Sequence, residues 1–197
     1  MGVTYTNRRD KIFYLHQGET KTVKPKYFFS SIDEGALVDV IPDGYEIYES
    51  PNSQVFLRKI PKKIITDEEV AIAEKGMRKF CQVSPFIVDV KKNILSIFTP
   101  SQDAFALADL TISFDVLGRK NRSDAEAYWN RMVDYHSDMR FILVDKEERL
   151  FQPQRYCYRG SVDDWIDIDA ADQLKPLIAK YVKHIGQESM FELYPWH

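Results

Sequence analysis

Phe86-Ile87-Val88-Asp89-Val90 passes through Lys91-Lys92-Asn93 into Ile94-Leu95-Ser96-Ile97-Phe98. Both flanks are rich in β-branched and apolar residues and the break between them is polar, which predicts an antiparallel hairpin. The segment ahead of it, Thr66-Asp67-Glu68-Glu69, is a capping box. In such a box the Thr66 hydroxyl accepts from a free N–H of the first helical turn while Glu69 reaches back to the cap. Val70, Ala73, Met77 and Phe80–Cys81 follow at helical spacing, and Ser84-Pro85 ends the helix. A methionine and aromatic stripe of this kind is ordinarily a core face, not a cofactor pocket.

The order of helix and hairpin recurs. Ser123-Asp124-Ala125-Glu126 reads as a second capping box, with Ala125, Tyr128–Trp129, Met132–Val133 and His136 as the buried stripe. Met139–Asp145 and Arg149–Tyr158 then form a hairpin around Lys146-Glu147-Glu148. Convergence alone produces such echoes, so they are read as similar units, not as a duplication. Helices that alternate with hairpins, and not with single strands, disfavour a parallel dinucleotide-binding sheet. They predict an α+β fold, in which antiparallel hairpins form one or more sheets and about three helices pack on them.

Outward from this body the chain reads as follows. Lys11–His16, Lys26–Ser30 and the pair Tyr45–Glu49 with Gln54–Arg58 are strands, the last two joined by Ser50-Pro51-Asn52-Ser53. A helical turn is expected within Asp33–Val40, a short helix around Asp103–Asp109, and a strand over Leu110–Leu117 followed by a basic loop, Gly118–Arg122. Leu174, Leu177–Ile178, Tyr181–Val182 and Ile185 define a helix over Asp172–Ile185 with Gly186 at its stop, and Ser189–Tyr194 reads as an edge strand. The basic joint Arg58-Lys59-Ile60-Pro61-Lys62-Lys63 divides a β-rich N-terminal module, 1–62, from an α+β body, 63–197, with one continuous core as the alternative in view of the module's small size.

Composition sets the class. The chain has 197 residues, 27 Lys plus Arg against 30 Asp plus Glu, and 44% hydrophobic residues, which excludes a disordered tail, a collagen and a coiled coil. A net charge of −3 provides no bulk drive toward nucleic acid or an anionic membrane. No apolar run approaches the roughly 18 residues of a membrane helix. Two cysteines without CxxC spacing, and an opening without an apolar leader core, lead to the expectation of a cytoplasmic protein with reduced thiols.

Nucleotide loops of the Gly-x-Gly-x-x-Gly and P-loop kinds, the Gly-x-Ser-x-Gly elbow and the His-Glu-x-x-His helix are all absent from the sequence. His136 with Asp138, and His184 with Glu188, are the weak metal candidates, each pair placed at an expected helix end. Two ligands fall short of a site, and a histidine there is better used on the helix dipole, so no metal and no cofactor is expected. The run Asp163–Asp172 lacks the glycine and third ligand of a calcium loop, and is read as a complement to the following helix dipole.

Two readings of function compete with a bland one. Asp89-Val90-Lys91 on a strand resembles the second half of the signature of metal-dependent nucleases, in which the Asp holds a divalent ion and the Lys steadies water or phosphate. That resemblance implies a metal-dependent hydrolase or nuclease centred on Asp89 and Lys91, but covers three residues, and a charged hairpin turn is the preferred account of them. Residues 1–30 carry a local +4, residues 31–57 a local −6 and residues 58–63 +4. Arg8, Arg9 and Lys11 beside Tyr14 and Phe28 offer phosphate contacts and stacking for single-stranded nucleic acid. The competing account places the aromatic residues in the core and pairs the basic blocks with the acidic one. The expectation adopted is a non-catalytic accessory protein that acts through protein–protein contacts. Its oligomeric state and pathway are not encoded in any motif. Titration of the unfolded, unreduced chain should find two free thiols, at Cys81 and Cys157. An intact mass lowered by two hydrogens would contradict this.

Overall fold

A computed structural model describes residues 2–23, 25–113, 121–159 and 161–194. Among these residues are four α-helices and eleven strands, all paired antiparallel, in three sheets, an α+β fold with a β-rich N-terminal part. The chain divides into two compact units, residues 1–61 with 108–132, and residues 62–107 with 133–197.

The first unit holds the sheet β1 (Thr4–Thr6), β2 (Ile12–Glu19) and β3 (Pro25–Ser30), in that order, and the hairpin β4 (Tyr45–Glu49) with β5 (Val55–Lys59). Its residues 33–40, expected to be helical, are irregular, with Leu37 bridged to His16 and the Val38 N–H donated to the Leu15 carbonyl. The backbone of β2 supplies partners there, so extended chain satisfies these groups without a helix. Arg8 ties the unit together. Its Nη2 donates to the Pro51 carbonyl at 2.8 Å, its Nε to Ser53 Oγ at 3.2 Å, and its backbone N–H to Glu49 Oε1 at 2.9 Å. Asn7 Nδ2 adds a bond of 2.8 Å to the Ser53 carbonyl.

The helix α3 (Arg122–Met132) belongs to this unit. Its cap is not Ser123, as the motif suggested, but Asn121, whose Oδ1 accepts from the Ser123 N–H at 2.9 Å. Asn ranks with Ser at a cap, and the earlier residue prevailed. Leu110–Ser113, expected to begin a strand, instead complete α2 (Ala104–Ser113). The remainder of that strand, 114–117, and loop residues 118–120 lie outside the described residues.

The second unit is built on a sheet ordered β10 (Val162–Asp167), β9 (Leu150–Arg159), β8 (Tyr135–Asp145), β7 (Ile94–Pro100), β6 (Ile87–Lys91), with β11 (Asp172–Gln173) also paired to β9. Leu95, Ile97, Met139, Phe141, Leu143 and Phe151 are buried at alternate positions, as a strand with one covered face requires. They form one apolar cluster with residues of α1 (Asp67–Phe80) and α4 (Leu174–Tyr181). α1 begins at the expected capping box, with Thr66 Oγ1 and the Glu69 carboxylate both engaged. Glu69 has a second role: Arg149 Nε donates to its Oε1 at 2.9 Å.

Two strand assignments correct the sequence reading. α3 ends at Met132, so His136 and Asp138 lie on β8 and not at a helix end. Asp163–Asp167 are part of β10, where Trp165 and Ile166 pair with Tyr156 and Arg155, and stand on a strand, not at the first turn of α4. α4 is shorter than expected: a 3-10 turn, Val182–His184, takes its last residues, and Gly186 follows at φ 75°. Even so, Leu174, Leu177, Ile178, Tyr181, Val182 and Ile185 are all buried. The segment expected as an edge strand is a second 3-10 turn, Glu188–Glu192. Arg155, 2% exposed, secures it by donating from Nε to the Leu193 carbonyl at 2.6 Å and from Nη2 to the Phe191 carbonyl at 3.4 Å. Carbonyls left free at the end of a helical turn are natural acceptors for a cation.

α1 and α4 approach closely at Gly76. A Cβ added there would stand 2.0 Å from Ile178 Cγ2, and Ile178 is 1% exposed and β-branched, hence stiff. Helix propensity alone favours Gly76→Ala by up to about 1 kcal/mol. The clash reverses the sign, and the variant should lose roughly 1–3 kcal/mol in chemical denaturation. Leu177→Ala should lose about 2–5 kcal/mol in the same assay. A stabilised Gly76→Ala protein would contradict the packing described.

Candidate functional site

Asp89 is at the middle row of the β6–β7 hairpin, opposite Ser96, half-buried on an edge strand, and Lys91 is exposed at its turn. Among the described residues no three of His, Cys, Asp and Glu are grouped so as to hold a metal ion. The carboxylates of the acidic run are otherwise engaged. Asp167 Oδ1 accepts from Gln154 Nε2 at 2.7 Å, and Asp169 Oδ2 accepts from both Lys180 Nζ and the Tyr181 hydroxyl at 2.6 Å. Lys180 above all, then Tyr181, holds the Asp169 carboxyl down at about 2.

The N-terminal candidates separate in the structure. Arg8 is committed to Pro51 and Ser53, Tyr14 is half-buried, and Lys11 stands over the Phe13 ring at 5.4 Å. Arg9 is half-buried. Phe28 is 42% exposed and stacks on His16 with ring centroids 5.4 Å apart. The cysteines are free, Cys81 half-buried and Cys157 buried.

Three of the four metal candidates come together as parts of one cavity in the second unit. His136 and Asp138 on β8 and Glu188 of the second 3-10 turn line a space of about 490 Å³, with Tyr156 and Tyr158 of β9 and Phe191 beside them. His136 Nε2 and Asp138 Oδ2 are 2.8 Å apart. The shift of register between Ile97 and Phe98, against Met139 and Ser137, makes Asp138 the extra residue of a bulge. A bulge re-aims side chains, and here it lets residues two apart on a strand meet. The Asp138 hydrogen bond raises the His136 pKa, against the lowering effect of partial burial. His184 goes elsewhere, its Nδ1 2.8 Å from Ser189 Oγ, and burial followed by the Lys183 charge lowers its pKa.

A second concavity, about 390 Å³, lies between α1 and α4. Ile72, Gly76, Phe80, Ile178 and Ala179 make its floor, and Lys75, Lys79 and Lys175 its rim. Each of the three lysines is exposed. The sequence contained this signal in the spacing of Lys75 and Lys79 around Gly76, but only the approach of α4 adds Lys175. Comparison of the chain with protein-family models, curated proteins and solved structures finds no match.

The two histidines should titrate in opposite directions in a proton NMR titration: His136 above the ordinary value near 6.5 and His184 below it. A raised folded pKa stabilises the protein below the unfolded value and ceases to do so as pH rises through the folded one. Asp138→Asn should return His136 toward its ordinary value and remove that part of the pH dependence. An unmoved His136 would contradict the pairing.

Proposed function

We propose that this chain is a non-catalytic binding protein that receives an acidic, amphipathic segment of a partner protein in the groove between α1 and α4. The observation that carries this reading is the combination of an apolar floor with Lys75, Lys79 and Lys175 on its rim. An apolar groove between helices receives the apolar face of a partner helix, its side chains anchoring at successive turns. The ammonium groups on the rim select a partner with carboxylates flanking those anchors and steer its approach. Gly76 contributes to the floor by letting Ile178 of α4 pack directly against α1. Two unpaired cysteines accord with a cytoplasmic setting, which we include in the proposal.

The test uses a labelled peptide of about 16 residues, long enough for roughly four helical turns, with Leu on one face and Asp and Glu on the other. Fluorescence anisotropy should report saturable binding that weakens with added salt. The triple variant Lys75→Glu, Lys79→Glu, Lys175→Glu should bind at least about tenfold more weakly with its melting temperature preserved. Equal binding of a peptide with Lys in place of the acidic residues, or an unaffected triple variant, would overturn the proposal.

A further inference from the structure

The cavity that holds the His136–Asp138 pair is separate from the groove and differs from it in chemistry. Of its described lining residues, Asp138 and Glu188 are carboxylates, Tyr156, Tyr158 and Phe191 are aromatic, and none is Lys or Arg. The walls are held in place. Tyr156 donates from its hydroxyl to Asp163 Oδ1 at 3.0 Å and meets the Trp165 ring edge-on at 5.3 Å. The Phe191 carbonyl is bound by the buried Arg155, and Met190 beside it is buried. Its volume, about 490 Å³, lies in the range of small-molecule sites.

We infer that this cavity is a binding site for a small organic ammonium ion. Aromatic faces attract a cation through their quadrupoles, and two carboxylates add charge attraction. An anion would meet both carboxylates. A neutral apolar ligand would strip them of water without compensation, which is costly. A bare divalent ion lacks a third ligand, since no three suitable side chains are grouped among the described residues. The compact, weakly hydrated charge of a substituted ammonium meets none of these objections.

His136 tunes the site. The titratable groups that line the cavity with it are Asp138 on its own strand, Tyr156 and Tyr158 on β9, and Glu188 on the turn, while Asp163 accepts from Tyr156. Protonated, His136 neutralises Asp138; neutral, it leaves both carboxylate charges to the ligand. Affinity for a cation therefore rises as pH increases through the His136 titration.

Choline and its neutral carbon isostere, dimethylbutanol, are suitable probes because they match in shape, differ in charge and have no titration of their own in the working range. In calorimetric or NMR titrations of the whole protein at pH 8.5, choline should bind at least about tenfold more tightly than the isostere. At pH 5.5 the advantage should shrink by about threefold or more. Glu188→Gln, an exposed position that leaves the fold intact, should weaken choline by about threefold and leave the isostere unchanged. Asp138→Asn should weaken choline, and His136→Asn should abolish the pH dependence. Equal binding of the two probes, tighter binding of the isostere, or no choline binding up to about 10 mM, weaker than the ~1 mM end of ordinary affinities, would overturn the inference. The groove variants of Lys75, Lys79 and Lys175 should leave choline binding unchanged, so either proposal can fail without the other.

Discussion

The body of this protein depends on a missing methyl group. With Gly76 bare, α1 comes against Ile178 of α4 at a distance no other residue permits, and both helices cover the same face of the sheet. That approach decides how Leu177, Ile178 and Tyr181 meet Ala73 and Met77 over Leu95, Ile97, Met139 and Phe141. It also decides the groove. Lys75 and Lys79 are on the outer shoulder of α1, and a wider interhelical spacing would leave Lys175 too remote to share a rim with them. Core packing and the proposed binding surface are thus two sides of one contact.

Much of the architecture was legible because periodicity was strong. The hairpin around Lys91-Lys92-Asn93, the capping box at Thr66 and the stripe from Leu174 to Ile185 are local patterns, and each appears as read. Errors arose where local preference met a tertiary competitor. Residues 33–40 found β2 carbonyls and N–H groups and stayed extended. His136 ended a helical stripe on paper, but it pairs with Thr99 of β7 and belongs to the sheet. The acidic run lost its expected helix dipole because Trp165 and Ile166 pair better with β9.

The candidate sites were less legible, for a different reason. His136 with Asp138 could be singled out as a pair, yet the bulge that joins them depends on the register of two strands brought together across 35 or so residues. Tyr156, Tyr158 and Phe191 carry no motif and gather only because the last turn folds back over the sheet. Arg8 illustrates the converse. It stood out as a cation among aromatic residues, and the structure uses it as a strut, its guanidinium donating to the Pro51 carbonyl at the turn.

Arg155 carries an implication for how this sequence can drift. Its guanidinium reads main-chain oxygens of Phe191, Leu193 and Tyr156, so its hold on the final turn does not itself depend on which side chains stand there. The arginine itself has no such latitude. A lysine has no planar fork, and its three donors diverge where the acceptors converge. Divergent relatives of this chain should therefore be recognisable by an arginine kept on the strand before β10 and a 3-10 turn kept at the same distance from it along the chain.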